Sequence, residues 1–349
     1  VSVLALLRRA GRHARLRVRG AGAALALAST LASAQPVAEP THDPRAPDLR
    51  EEVAQIEITL RDLNGRVETR PFTVTRFRPP GDGPFPLVVL NHGRATADRR
   101  TGQSRRRFEE LARHFVGLGF AVLVPTRVGY GEGEAGFDPE EPGPCNQARY
   151  EPMAQAAADQ VIAAVESAAA LPWADTRRWI AVGSSVGGLA SLAAAARRPP
   201  GLLAAINFSG GAGGDPVRRR AAPCSPAAIE TLWRALGATA AVDTLWIYWS
   251  HDRYWGDKLP QRWAQAWAES GGRVEWHQLG PWSDEEADGH TGITRDIRRW
   301  APLVEAFLAR AGFARDGGAT RSRAIADRPT PRPRVTNAPR PARPAGPAP

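Results

Sequence analysis

Apolar positions along this chain change period several times, and each change marks an element. Residues 54–60 (A-Q-I-E-I-T-L) and 67–76 alternate apolar with polar side chains, the pattern of strands with one buried face. Between them, Asp62-Leu63-Asn64-Gly65 supplies a turn, since Asn-Gly accepts the positive φ of a tight hairpin. Pro86-Leu87-Val88-Val89-Leu90 is an unbroken apolar run, as a strand covered on both faces requires. Phe108, Leu111, Ala112 and Phe115 have helical spacing within 105–116. A strand over 120–124 and an Ala-rich helix over 153–171 follow. The apolar strand 179–182 runs straight into Gly183, with a helix over 188–196 behind it. Strands at 202–208, 244–249 and 274–279 are each followed by a helix, at 227–236, 261–269 and 295–311. Such alternation predicts an α/β domain, a mostly parallel sheet with helices on both faces.

The two ends follow different rules. Residues 8–19 are basic, 21–31 are apolar, and Ala32-Ser33-Ala34 offers an A-x-A site before Gln35. That is the three-part layout of a secretory signal, with an apolar run too short to span a bilayer. Residues 35–50 read as a linker, 51–313 as the single folded domain, and the Pro/Arg/Ala-rich 314–349 as a disordered tail. Hydrophobic residues make up 43% of the 349, ample for a core. The formal net charge is +10, which invites a nucleic-acid reading. Yet residues 1–34 carry six Arg and no acid, and 315–349 carry eight Arg against Asp316 and Asp327. The body between them is close to neutral, so nucleic-acid binding is not expected. The sequence predicts a secreted or periplasmic protein, with no membrane insertion after signal cleavage. The even pair Cys145 and Cys224 fits a disulfide in that compartment.

Gly183-Ser184-Ser185-Val186-Gly187 matches G-x-S-x-G with Ser185 at its centre. A strand before it and a helix after it are the setting of a nucleophile elbow, where Gly183 and Gly187 let neighbouring backbone pass. A serine hydroxyl needs a base. Of seven histidines, His290 stands in a polar loop, Asp288-Gly289-His290-Thr291-Gly292, after the last strand. The others lie in the signal, the linker, a helix, strand-flanked positions or the Asn91-His92-Gly93-Arg94 turn. Asp252, at the end of strand 244–249, is the candidate acid; Asp288 and Glu286 are its rivals. The turn after Leu90 is placed to give an oxyanion-hole amide from Gly93 or Arg94, alongside that of Val186. His92 is expected to orient that turn. Eleven tryptophans read mainly as core packing, with Trp249 and Trp255 bracketing Asp252 as a candidate aromatic wall.

On these motifs, together with residues 125–133 (P-T-R-V-G-Y-G-E-G) and 207–211 (N-F-S-G-G), the chain resembles the α/β-hydrolase superfamily. Within it, the chain is similar to the dienelactone-hydrolase-like group of small esterases over roughly residues 85–312. The resemblance implies a three-layer fold around an eight-stranded sheet and a Ser185–Asp252–His290 triad. It also implies hydrolysis of a small-molecule carboxylic ester or lactone without a cofactor or metal. Dienelactone hydrolases proper carry cysteine where this chain has Ser185. In such a fold, a Cys145–Cys224 bond would join two loops at the pocket rim. With 35 residues between Phe208 and Thr244, no large lid domain is expected. A serine peptidase or acyltransferase, or a non-catalytic protein keeping the fold, are the alternatives; the sequence says nothing of oligomeric state.

Overall fold

The computed structural model describes residues 45–100, 102–131, 136–283 and 288–313. The expected signal peptide, the linker up to residue 44, the tail from 314 and the rival acid Glu286 lie outside the described residues.

Eight strands form one sheet in the order β1-β2-β4-β3-β5-β6-β7-β8. They are β1 (Glu52–Arg61), β2 (Val67–Phe77), β3 (Phe85–Asn91), β4 (Ala121–Thr126), β5 (Ala174–Ser184), β6 (Leu202–Phe208), β7 (Asp243–Trp249) and β8 (Val274–Leu279). The hairpin β1–β2 pairs Glu52 with Arg76 through Arg61 with Val67. Its turn is held by Asp62 Oδ1, which accepts the amides of Asn64 and Arg66 at 2.9 Å each. Strand β2 runs antiparallel to β4, and every pairing from β4 through β3 to β8 is parallel. The strand order reverses around β3, so the loops leaving β3 and β5 open side by side, the usual place for a ligand in such sheets.

Helices are α1 (Ala97–Arg100), α2 (Glu109–Gly117), α3 (Tyr150–Glu166), α4 (Val186–Ala196), α5 (Pro226–Thr239), α6 (Leu259–Glu269), α7 (Gly292–Arg295) and α8 (Ile297–Arg310). Alternate residues of the central strands face opposite layers. Leu87, Val89 and Leu123 pack toward α3–α6, while Val88, Leu90 and Val122 pack toward α2 and α8. All six are fully buried, which is why β3 reads as a continuous apolar run; each such burial contributes ~1.5–3 kcal/mol. Trp233, Trp246, Trp263 and Trp267 cluster in the first layer, as core packing predicts. Trp249 lies in the second and donates Nε1–H to Asp296 at 2.6 Å. Between β6 and β7 the chain holds α5 and its approach loop, with no inserted domain.

Several boundaries differ from the sequence reading, among them the start of β5, at Ala174 where residue 179 was expected. The helix expected from Arg105 starts at Glu109, because Arg105 and Arg107 both turn to Glu51 and Phe108 adopts φ 47°. The helix expected over 153–171 runs from Tyr150 to Glu166; Ser167 Oγ bonds the Ala164 carbonyl just beyond its end. The final stretch of the expected linker is already part of the fold. Pro47–Leu49 make a 3-10 turn whose Leu49, with Ala46, is buried in the second layer. The short helices α1 and α7 had no periodicity long enough to show. Among the described residues no helix is long and apolar enough to cross a membrane. Cys145 and Cys224 are disulfide-bonded.

Candidate active site

Ser185 stands between the last residue of β5 and the first of α4, with φ 58° and ψ −127°. A non-glycine residue there costs about 1–3 kcal/mol and persists only where the surroundings enforce it. Here they do. Ser185 N–H donates to the Phe208 carbonyl at 3.0 Å, and its carbonyl accepts from Gly188, Leu189 and Gly211. The flanking glycines are steric necessities. A Cβ on Gly183 would sit 2.1 Å from the Gly187 carbonyl oxygen, and one on Gly187 would sit 2.1 Å from that of Asn91. The turn also aims the N-terminus of α4, the positive end of its dipole, at the serine.

His290 and Asp252 meet across the ends of β7 and the loop after β8. His290 Nδ1 lies 3.0 Å from Asp252 Oδ2. Asp252 Oδ1 is taken by the amides of Tyr254 (2.8 Å) and Trp255 (3.1 Å), so the carboxylate is fixed on both oxygens and its side chain is wholly buried. Asp288, the rival acid, bonds backbone instead: its Oδ1 accepts the amides of His290 and Arg253. It shapes the loop and leaves the imidazole to Asp252. Gly289 and Gly292 let this loop nest on β7, since Cβ atoms there would strike the Ser250 carbonyl and the Trp249 indole. No hydrogen bond joins Ser185 Oγ to His290 among the described residues; in resting enzymes such contacts are often long.

The turn after β3 comes up against the serine, with the Cβ position of Gly93 3.1 Å from Ser185 Cβ. His92 decides how that turn faces. Its Nε2 lies 3.0 Å from the Arg127 amide, which can only donate, so Nδ1 carries the proton and donates to the Gly93 carbonyl at 2.7 Å. Burial, with the Arg127 charge beside it, pushes the His92 pKa well below its ordinary value. His92 is thus a neutral brace. Because a trans peptide sets N–H opposite C=O, pinning the Gly93 carbonyl turns the Arg94 N–H the other way. Neither Arg94 nor Val186 spends its N–H on a partner among the described residues. The Arg94 side chain is tied to Asp138 and Glu141, and Arg100 also bonds Asp138. Although burial opposes it, the bond to Arg94 holds the Asp138 carboxyl below its ordinary value.

A cavity of about 530 Å³ opens onto Ser185 and Val186. Met153, Ala212, Tyr254 and Trp255 give it an apolar wall, and Arg94, Arg99, Arg100 and Arg219, with the acids Glu141 and Asp215, a charged one. Cys224 and Pro142 lie at its rim, so the disulfide joins two of its loops. A larger groove of about 740 Å³ between α3, α4 and α5 contains none of the candidate residues. Of the two tryptophans that the sequence offered as a candidate wall, Trp255 lines the cavity, whereas Trp249 is packed in the second core layer; Tyr254 and the Arg94–Asp138–Glu141 network were not read. These contacts join distant segments and leave no spacing signature.

Sheet order and the strand–turn–helix around Ser185 define the α/β-hydrolase fold, and comparison with solved structures agrees. An esterase of Pyrococcus furiosus superposes with a TM-score of 0.51 at 11% identity, covering 78% of this chain and 96% of that one. The acylaminoacyl peptidase of Pyrococcus horikoshii gives 0.50 at 14% identity, covering 77% of this chain and 43% of the peptidase. At these identities the likeness speaks for the fold. No protein-family model matches the sequence, and a search of curated proteins finds no match.

Proposed function

We propose that the protein is a serine hydrolase cleaving a small carboxylic ester through an acyl-enzyme. Ser185 is the nucleophile, His290 the general base and Asp252 the group that orients it. The observation carrying this reading is the pairing of His290 Nδ1 with Asp252 Oδ2. That pairing makes Nδ1 the donor and Nε2 the nitrogen able to take a proton. Tyr254 and Trp255, which both touch the His290 ring, line the same cavity as Ser185.

Ser185 Oγ attacks the ester carbonyl carbon while His290 Nε2 takes its proton. The amides of Val186 and Arg94 receive the carbonyl oxygen as it becomes an oxyanion; one such donor is worth about 10²–10³ in rate. Collapse breaks the bond to the alkoxy oxygen, and His290 returns the proton to the leaving alcohol. Water, deprotonated by His290, then attacks the acyl-enzyme and restores Ser185. The body of the cavity suits a small acyl group with an apolar part.

Ser185→Ala tests the reading. Turnover of aryl esters of graded acyl length should fall at least about a thousandfold, and a fluorophosphonate should label the native chain at Ser185 and not the variant. Near-normal turnover by a clean Ser185→Ala preparation would sink the assignment. A chain that takes no label and turns over no ester, amide or lactone would be a binding protein.

A further inference from the structure

Tyr254 lies flat against His290, with ring centroids 3.9 Å apart and planes at 22°. Trp255 presents to the same imidazole at 5.5 Å and 69°. We propose that Tyr254, backed by Trp255, is a positioning residue for the base: it holds the imidazole in register with Asp252 and stabilises the imidazolium formed during turnover. This rests on the reading of His290 as the base.

Residues 252–255 work as one unit. The amides of Tyr254 and Trp255 cap Asp252 Oδ1, and their rings hold the histidine that Asp252 Oδ2 orients. A shift of this segment therefore moves acid and base together. Trp255 is fully buried and anchored by Nε1–H to the Ser209 carbonyl at 2.8 Å. Within the run Gly210-Gly211-Ala212-Gly213-Gly214, Gly214 backs both rings and Gly211 the indole. A Cβ on Gly214 would lie 2.6 Å from Tyr254 Cδ1 and 2.7 Å from Trp255 Cζ3, and one on Gly211 would lie 3.0 Å from the Trp255 indole. Glycine lets bare backbone press on the rings. The Gly213 carbonyl accepts the Cys224 amide, which ties this backing to the disulfide.

A neutral imidazole gains modestly from stacking, whereas an imidazolium over an electron-rich ring gains a cation–π attraction. The stack therefore favours the protonated base, the form in which it waits to protonate the leaving group. The charged and titratable groups around it are Asp252 on Nδ1, Asp288 on the His290 amide, and the Tyr254 hydroxyl. Asp215 and Arg99 lie within electrostatic reach of that hydroxyl. Burial, with Asp288 and Asp252 adding, raises the Tyr254 phenol, so the ring is uncharged at neutral pH.

The test is the pH dependence of kcat/KM for an aryl ester in the native chain, Tyr254→Phe and Tyr254→Leu. In parallel, the His290 ring is titrated by NMR, its resonance assigned by loss in His290→Gln. Tyr254→Phe keeps the aromatic face and should leave the acid limb in place. Tyr254→Leu keeps apolar bulk without that face. It should lower kcat about tenfold and move both limb and NMR midpoint down by about half a pH unit or more. Tyr254→Met repeats the comparison should the Leu chain not fold. Reduced turnover with an unmoved limb and midpoint would make Tyr254 a packing residue and overturn the proposal. An active His290→Gln enzyme would remove the base itself, and the clamp with it.

Discussion

Gly187 has no room for a methyl group. A Cβ there would fall 2.1 Å from the Asn91 carbonyl oxygen and 2.6 Å from that of His92, both backbone atoms that cannot rotate aside. Gly187→Ala must therefore push the start of α4 away from the end of β3, the two stretches that bring the amides of Val186 and Arg94 together. Turnover should fall about a hundredfold or more, as for loss of an oxyanion donor, and stability by about 1–3 kcal/mol from overpacking. Steady-state kinetics and thermal melts check both, with Gly102→Ala, whose Cβ meets nothing within 4 Å, as control. Native turnover in Gly187→Ala would mean that the two amides do not act as a pair. At this scale the elbow was legible, because a strained turn demands glycines at fixed offsets from Ser185. His290 was legible too, its loop being marked by Gly289 and Gly292. Tyr254 was not, since a ring stacked on a residue 36 positions later leaves no pattern in either segment.

Elements were legible where burial is two-sided or strictly alternating. Strand β6 runs over Leu202–Phe208 and β8 over Val274–Leu279, as read, since each is an uninterrupted segment between turn residues. The start of α2 was misplaced because nothing local shows Arg105 and Arg107 reaching to Glu51. The loops depend on such distant ties. Cys145 and Cys224, 79 residues apart, join the loop before α3 to the loop before α5. Ser225 Oγ adds a bond to the Cys145 carbonyl, and Tyr150 OH one to that of Cys224. Closing so long a loop restrains the unfolded chain, so replacing both cysteines by serine should cost about 2–4 kcal/mol. Because both loops edge the cavity, KM should rise more than kcat falls. Melting curves and kinetics of the double variant, with native protein beside it, measure the two effects. Unchanged KM would show that the remaining hydrogen bonds suffice to hold the rim.

At the scale of the whole molecule, the apolar layers also enclose a few paired charges: Glu140 with Arg127, Asp252 with His290, and Glu51 with two arginines. Glu51 is the one that ties the start of the fold down. It looked in the sequence like the first residue of a domain, yet its wholly buried side chain joins the entering chain to the approach of α2. It accepts the Ala46 amide and pairs with Arg105 and Arg107. Burial alone would raise its pKa, but the bonds from Arg107 and Arg105 outweigh it and hold the carboxyl at about 2, against an ordinary 4.5. Asp138 is shifted the same way. A carboxyl whose pKa is lower folded than unfolded gives its stability in full above the unfolded value and loses it as pH falls toward the folded one. Between those values the unfolded chain binds more protons. Unfolding free energy from urea titration should therefore be flat near neutrality and fall steeply from about pH 4.5 toward pH 2. Glu51→Gln removes the buried carboxylate that Arg105 and Arg107 share, while Arg107 keeps its pairing with Glu109, and should lower the neutral plateau by about 2–3 kcal/mol. It should also make the acid fall shallower, since one shifted group is gone. A variant with the native slope below pH 4.5 would place the acid sensitivity elsewhere in the fold.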